Sequence, residues 1–517
     1  MTESIETPGS SAARGRNPMA YLPIGLVVLL GAGLRIAQID QSFITDEMWS
    51  YHEATLPTFG GMLDFVRGDE EITPPLFTIL AWLAGRISDS AEVLRLPSLL
   101  SGIVTIPIVY AIGDRTLGRR VAVTAAVLAA LSPFLTWFSI ELRAYSLAIM
   151  FVSLSTLCLL LAVEDNRFRW WACYAAASCA AMYTHYTSAY VLLAQLAWVL
   201  VLVPASRRPV LLANVAAAVA FLPWLPGLID DLGSPSQGII GRFAPFGWHN
   251  AVAFTGQFAF ANPAFTVRDY LGLGVELALF LGLAVGAVGA VIGWRGRGQP
   301  GDAGTEPSRT RDLVLLVAVA CAAPVCVALV SLLSSDQFLP RNLATSAPGL
   351  LICIAALLCA GPLVTRVVST VLVVGAFAFG AVRGLDPDYQ RMHYDEAGSY
   401  IDATVGPDDV VLDIAGLGGL QADGEPIPAF DSLDIQLRKP HQIVDSATGE
   451  EVQAAYTMAA GSRLFLVGTT PLVELIRSAL ELDGEPPVEQ RSFEGSMPLL
   501  IEAFDIPHGA TAPGPTP

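Results

Sequence analysis

What most constrains this chain is a series of long runs without a single charge. Leu22 to Gly33, Val121 to Phe134, Leu147 to Val163 and Val367 to Phe379 are examples; such runs recur until about residue 383 and then stop. Of the 517 residues 53% are hydrophobic and only 15% charged, whereas an ordinary soluble domain is about a quarter charged. The pattern is that of a polytopic helical membrane protein followed by a soluble tail.

The breaks between runs carry charge in two alternating sets. One set holds Arg14 and Arg16, then Arg115, Arg119 and Arg120, Arg167 and Arg169, Arg207 and Arg208, the group from Arg295 to Arg311, and Arg366. The positive-inside rule makes this set cytoplasmic. The other set is then outside: Asp40 to Arg95, Ser139 to Arg143, Thr184 to Thr187, Asp230 to Asp269, Ser334 to Asn342 and everything after Arg383. About eleven spans follow, at 20–38, 95–113, 121–138, 145–163, 170–183, 187–203, 210–229, 271–293, 313–333, 343–362 and 366–382. Pro74 to Ile87 is apolar but short, and counting it as a span would invert every later loop. It reads as a juxtamembrane or re-entrant helix opened by Pro74-Pro75, where missing amide donors cost little.

Four segments result: a disordered cytoplasmic N-terminus over 1–17, a transmembrane domain over 18–383, an extracytoplasmic α/β domain over 384–507 and a disordered tail over 508–517. In the α/β domain "DDVVLDIAG" and "RLFLVG" read as buried strands, and "PLVELIRSALELDG" has helical periodicity with a Gly stop. The first apolar run reads as a retained helix in a cell-membrane protein, since no convincing small-residue cleavage site precedes Asp46. The formal charge of −18 argues against nucleic acid as a partner. All seven cysteines fall in apolar runs, which excludes a disulfide-stapled outer domain and disfavours a thiol catalyst.

Nearly all the unusual polar residues gather in the outer loops. The first loop holds Asp46, Glu47, His52 and Glu53, then Asp69, Glu70, Glu71 and Thr73 before the double proline. Later outer turns hold Glu141, Arg143 and Tyr145, then His185 and Tyr186, then Asp336, Arg341 and Asn342. Asp46 and Glu47 sit among Phe43, Trp49 and Tyr51, which suggests partial burial over a merely solvated pair. Glu141 and Arg143 read equally as a helix-end ion pair or as substrate contacts. Arg341 reads as a headgroup anchor or, beside Pro340 and Asn342, as a phosphate ligand. His185 suits an interface anchor in a tight turn. Glu47, His52 and Glu53 are weak metal ligands with no supporting spacing; no cofactor is required, and a divalent metal stays open.

The order of these signals resembles the GT-C glycosyltransferases, in particular the bacterial branch similar to protein O-mannosyltransferases and the lipid A aminoarabinose transferase. The pieces that carry the resemblance are "LRIAQIDQSFITDE", "TPPLFTILAWL", "RLPSLLSGIVTIPIVYAIGDRTLGRR", "LSPFLTWFSIELRAYSL", "YTHYTSAYVL" and "FLPRNLATSAPGLLI", spanning roughly residues 33 to 355. The position before the double proline, often His or Lys in these families, is Thr73 here.

The resemblance implies a sugar donor carried on a polyprenyl phosphate and a direct, inverting displacement at the anomeric carbon. It points to Asp46 as the base for the acceptor hydroxyl, with Glu47 orienting it or the acceptor. Arg341 and Arg143 are the cations for the leaving phosphate. Glu141, Tyr145, His185, Tyr186, Thr73 and Asn342 are the remaining substrate-binding candidates. Mannose is the favoured sugar, with arabinose close behind; the acceptor is a protein, a lipoglycan or a wall glycan. A lipid-linked sugar flippase would want charges near the bilayer midplane, and a cell-wall-binding scaffold would leave the acids of the first loop unexplained.

Overall fold

The computed structural model describes residues 22–43, 45–68, 72–234, 245–296, 306–414, 433–445 and 448–512; at Thr45, Asp46, Gly296 and 306–308 it describes the backbone alone. Residues 1–17, residues 513–517, Arg297 and the acids Asp69, Glu70 and Glu71 lie outside the described residues.

Every one of the eleven charge-poor segments is helical over most of its length. Among the described residues seven helices are long and apolar enough to cross a bilayer, Leu96–Thr116 and Tyr145–Asp165 among them. Leu22–Ile36 and Ser188–Leu202 are apolar but shorter, as is Phe168–Met182. The segment after the double proline forms only the ten-residue Leu76–Gly85 helix, about 15 Å long at 1.5 Å per residue, half of what a crossing needs. The chain is a multi-pass membrane protein.

The third expected span is broken. Arg119–Leu131 and Pro133–Ser139 meet at a 57° bend. Pro133 has no amide hydrogen to give the Ala129 carbonyl, and its ring opposes a straight helix. Ser132 caps the second piece by accepting from the Leu135 amide at 3.2 Å. Arg35, fully buried on the Leu22–Ile36 helix, supplies what the break removes. Its Nη2 donates to the Ala129 carbonyl and its Nη1 to the Ala130 carbonyl, both at 3.2 Å, while Nε reaches Ser139 Oγ at 3.0 Å. Gly102 makes room for this joint, since a Cβ there would collide with Ser139 Oγ.

Close helix packing elsewhere rests on small residues. Gly282, Gly286, Gly289 and Gly293 run along Val267–Gly296 toward the Leu363–Arg383 helix and the turn before it; a Cβ at Gly289 would meet Thr365, and one at Gly293 the Ala360 carbonyl. In lipid such close approach drives helix pairing through van der Waals contact.

After Arg383 the chain builds a five-stranded sheet from β1 (Val410–Asp413), β2 (Gln442–Asp445), β3 (Arg463–Thr469), β4 (Glu489–Phe493) and β5 (Leu499–Asp505). The order is β2-β1-β3-β5-β4, with β1 parallel to both neighbours and β5 antiparallel to both of its own. Both faces are covered, so residues alternate between two apolar layers. Val410, Leu412, Leu464 and Leu466 join Val452 and Val473 of two helices on one side, and Val411, Phe465 and Val467 join Ala397 and Ile401 of Tyr394–Thr404 on the other.

Candidate active site

The acidic pair lies in the first turn of the helix Thr45–Thr55, which follows the first apolar helix and packs against Leu76–Gly85 through Met48, Ala54, Phe77 and Ala81. The side chain of Asp46 lies outside the described residues; that of Glu47 is fully buried. Glu47 accepts from Arg95 Nε at 3.0 Å and Nη2 at 2.9 Å, from Arg391 Nη1 at 2.8 Å and from the Leu142 amide at 2.6 Å. Burial alone would raise its pKa, but the charges of Arg391 and Arg95 and these hydrogen bonds hold it below the ordinary carboxylate value. Glu47, expected as a catalytic or acceptor-orienting group, is buried here and clamped between Arg95 and Arg391.

Arg95 closes the clamp. Its Nη1 donates to the Ile39 carbonyl at 2.7 Å and to that of Gln41, its Nη2 to that of Ser42 at 3.1 Å, and its guanidinium lies 4.8 Å from the Phe43 ring. The chain entering the helix of Asp46 is thus wrapped around one arginine. Glu141 is 5% exposed and its charge acts on Arg391, so it belongs to this clamp.

A second group of cations and rings forms beside it. Arg143 Nη1 donates to Ser50 Oγ at 3.1 Å. Ser50 stands four residues after Asp46 on the same helix, and positions i and i+4 are neighbours on a helix surface. His185, in the turn between Phe168–Met182 and Ser188–Leu202, packs against Tyr145 in a tilted arrangement with ring centroids 5.2 Å apart. Loss of solvent and the positive charges of Arg143 and Arg341 push its pKa down to about 3. Its Nδ1 accepts from the Thr187 amide at 3.3 Å, so the neutral ring carries its proton on Nε2. His185 and Tyr145 are thus in contact, and the charges of Arg143, from the same stretch as Tyr145, and of Arg341, from a third stretch far off in sequence, both act on His185. Thr73 is half-buried in the bend before Pro74, and that segment is tied to the same turn by the Leu76 amide, 2.9 Å from the Tyr183 carbonyl.

Other expected residues take different places. The Tyr186 hydroxyl donates to the buried Asp231 carboxylate and accepts from Trp224 Nε1 at 3.0 Å, within an apolar cluster with Met62 and Phe221. Asn342 Nδ2 donates to the Gln337 carbonyl at 2.7 Å and fastens the loop that presents Arg341. His52 packs at a tilt against Phe65 with ring centroids 5.0 Å apart, and Glu53 accepts from Thr78 Oγ1 at 3.1 Å. With Glu47 held by arginines, these three weak metal candidates do not converge, and among the described residues no group of three His, Cys, Asp or Glu side chains does. Arg95 and Arg391 escaped the sequence reading. Arg95 read as the last residue of an outer loop, and Arg391 was not singled out.

Comparison with known proteins sets this geometry among relatives. Residues 73–227 match the model of the dolichyl-phosphate-mannose-protein mannosyltransferase family. Two structures of ArnT from Cupriavidus metallidurans superpose along almost the whole chain at 13% identity and a TM-score of 0.52. The form bound to undecaprenyl phosphate covers 94% of this chain and 98% of that one, and the apo form covers 93% and 97%. The archaeal oligosaccharyltransferase AglB from Archaeoglobus fulgidus, in complex with an inhibitory peptide and a dolichol-phosphate, matches 76% of this chain and 62% of its own at 13% identity and a TM-score of 0.47. No curated protein sequence matches. The chain is a multi-pass membrane protein with the fold of ArnT, and over residues 73–227 it is similar to the dolichyl-phosphate-mannose-protein mannosyltransferase family.

Proposed function

We propose that the chain is an inverting glycosyltransferase that moves a sugar, mannose in the favoured reading, from a polyprenyl-phosphate donor to a glycan, lipid or protein acceptor outside the cytoplasm. In this reading the N-terminus is cytoplasmic, the C-terminal domain faces outward from the cell membrane, and the alternation of arginine-rich breaks supports that orientation. The observation that carries the reading is the meeting of Arg143, Arg341 and a neutral His185 beside the helix of Asp46, with Arg143 bonded to Ser50 one turn along.

The acceptor hydroxyl oxygen attacks the anomeric carbon and gives its proton to the Asp46 carboxylate. The bond from that carbon to the phosphate oxygen breaks, and polyprenyl phosphate leaves with the electron pair. The negative charge that grows on the leaving phosphate is met by Arg143 and Arg341, since guanidinium offers paired donors to phosphate oxygens, and by Nε2–H of His185. Glu47 acts through the helix backbone, holding the turn that carries Asp46.

The test is transfer from a panel of labelled polyprenyl-phosphate sugars, mannose and arabinose first, in membranes containing the wild type or Asp46→Asn. The wild type transfers at least one sugar; D46N loses about 10²–10⁴-fold of the rate, the usual worth of a positioned base, and still binds donor. Near-normal turnover by D46N removes the base assignment, and a wild type inert toward the whole panel overturns the transferase reading.

A further inference from the structure

Arg391 lies beyond the last apolar helix, in the segment that leads into the sheet domain, yet it is fully buried. Its Nη1 reaches Glu47 Oε2 at 2.8 Å and the Ile140 carbonyl at 3.1 Å; its guanidinium stands 4.9 Å from the Trp137 ring. The Arg391 amide donates to Gln41 Oε1 at 3.2 Å. Four residues on, Asp395 Oδ1 accepts from Ser42 Oγ at 2.8 Å and the Asp395 amide donates back to it at 3.1 Å. Residues 391 to 395 therefore grip both the approach to Asp46 and the residue after it.

The same grip extends to the phosphate side. Glu47 accepts from the Leu142 amide and Arg391 donates to the Ile140 carbonyl, so the stretch 140–142 is held at two points immediately before Arg143. One clamp thus sets the backbone that carries the proposed base and the backbone that carries the proposed phosphate ligand. A buried ion pair adds little stability over a well-packed apolar substitute; its best-attested use is fixing one arrangement among alternatives. Arg95 alone already neutralises Glu47 at bidentate distance, so Glu47 does not require a second guanidinium for its charge.

We propose that Arg391 is a positioning residue for the transfer reaction: seating the C-terminal domain through Arg391 fixes the spacing of Asp46 and Arg143, which makes that domain part of the catalytic apparatus. This rests on the reading of Asp46 and Arg143 given above.

The experiment uses the full-length protein with Arg391→Met and Arg391→Lys, and D46N alongside. For each variant kcat, the KM for donor and acceptor, the melting temperature in detergent and amide hydrogen exchange over residues 45–55 are measured. In R391M, kcat falls about 10–100-fold, the scale of a misplacement near 1 Å, while both KM values stay within about twofold and exchange over 45–55 quickens. R391K, which keeps one donor for Glu47, recovers part of kcat. Wild-type kcat in a folded R391M overturns the inference, as does a loss that appears only in KM. Should R391M fail to fold, R391K decides: a lowered kcat at the wild-type melting temperature supports the inference and an unchanged kcat overturns it. An active D46N removes the base assignment, whereas wild-type kcat in the Arg391 variants beside an inactive D46N removes only the positioning role.

Discussion

His185 is a neutral donor throughout the physiological pH range. With its pKa pushed down to about 3, below the free value near 6.5, it takes no proton between pH 5 and 8. The rate profile over that range accordingly has no inflection from this ring. His185→Gln keeps an N–H where Nε2 stood, so kcat/KM drops by an expected factor of about 10 with an unchanged profile shape; a limb near pH 6.5 that vanishes in H185Q would refute the assignment. The sign for stability is opposite to that of a salt-bridged histidine. The unfolded chain takes up a proton that the folded one refuses, so this site's contribution falls as pH drops from about 6.5 toward 3. Arg341→Ala is expected to weaken donor binding by about 1.5–3 kcal/mol, the worth of a charged hydrogen bond, and to leave acceptor KM nearly unchanged; titration with a polyprenyl phosphate checks it, and an undiminished affinity counts against a phosphate role. Asp46 and Glu47 look alike as letters. What distinguishes Glu47 is two arginines 48 and 344 positions away, and no local pattern announces pairs at that separation. Arg143 and Tyr145 at the end of an apolar run, and His185 in the polar turn "YTHYTS", could be singled out in the sequence as polar groups at one membrane face, but their juxtaposition could not.

At the scale of elements, the broken third span shows how a charge is accommodated inside a helix bundle. The segment 121–138 reads as one crossing because membrane helices tolerate proline, and the bend became visible only with Arg35 in place against the Ala129 and Ala130 carbonyls. Arg35→Met leaves those carbonyls and Ser139 Oγ without their donor, at a cost of at least about 2 kcal/mol. Arg35→Lys recovers only part, because an ammonium cannot spread its donors over the planar fork that a guanidinium offers. Thermal unfolding in detergent checks both; an R35M protein as stable as the wild type would show that the joint is held by packing alone. The short Leu76–Gly85 helix was recognisable from its length and from the arginines that follow it, since a crossing there would have placed Arg115, Arg119 and Arg120 on the wrong side.

Across the whole molecule, the succession of helices followed by a sheet was readable because both signals are local: long charge-free runs for the first, short continuous apolar runs in "VVLD" and "RLFLV", buried on both faces, for the second. How the two halves meet was not readable. The contacts join Gln41 to Arg391 and Ser42 to Asp395 across 350 and 353 positions, and each partner taken alone is an ordinary polar residue in a loop or, for Asp395, a helix first turn. That separation has a bearing on biogenesis. The loop bearing Asp46 leaves the ribosome hundreds of residues before Arg391, so a chain that ends just after the last apolar helix, Leu363–Arg383, holds every membrane helix and the acidic pair but lacks the arginine that grips Glu47. If the positioning role of Arg391 holds, a product truncated before it would insert in the bilayer with the Asp46 helix unclamped on that side, and would be expected to lack transfer activity.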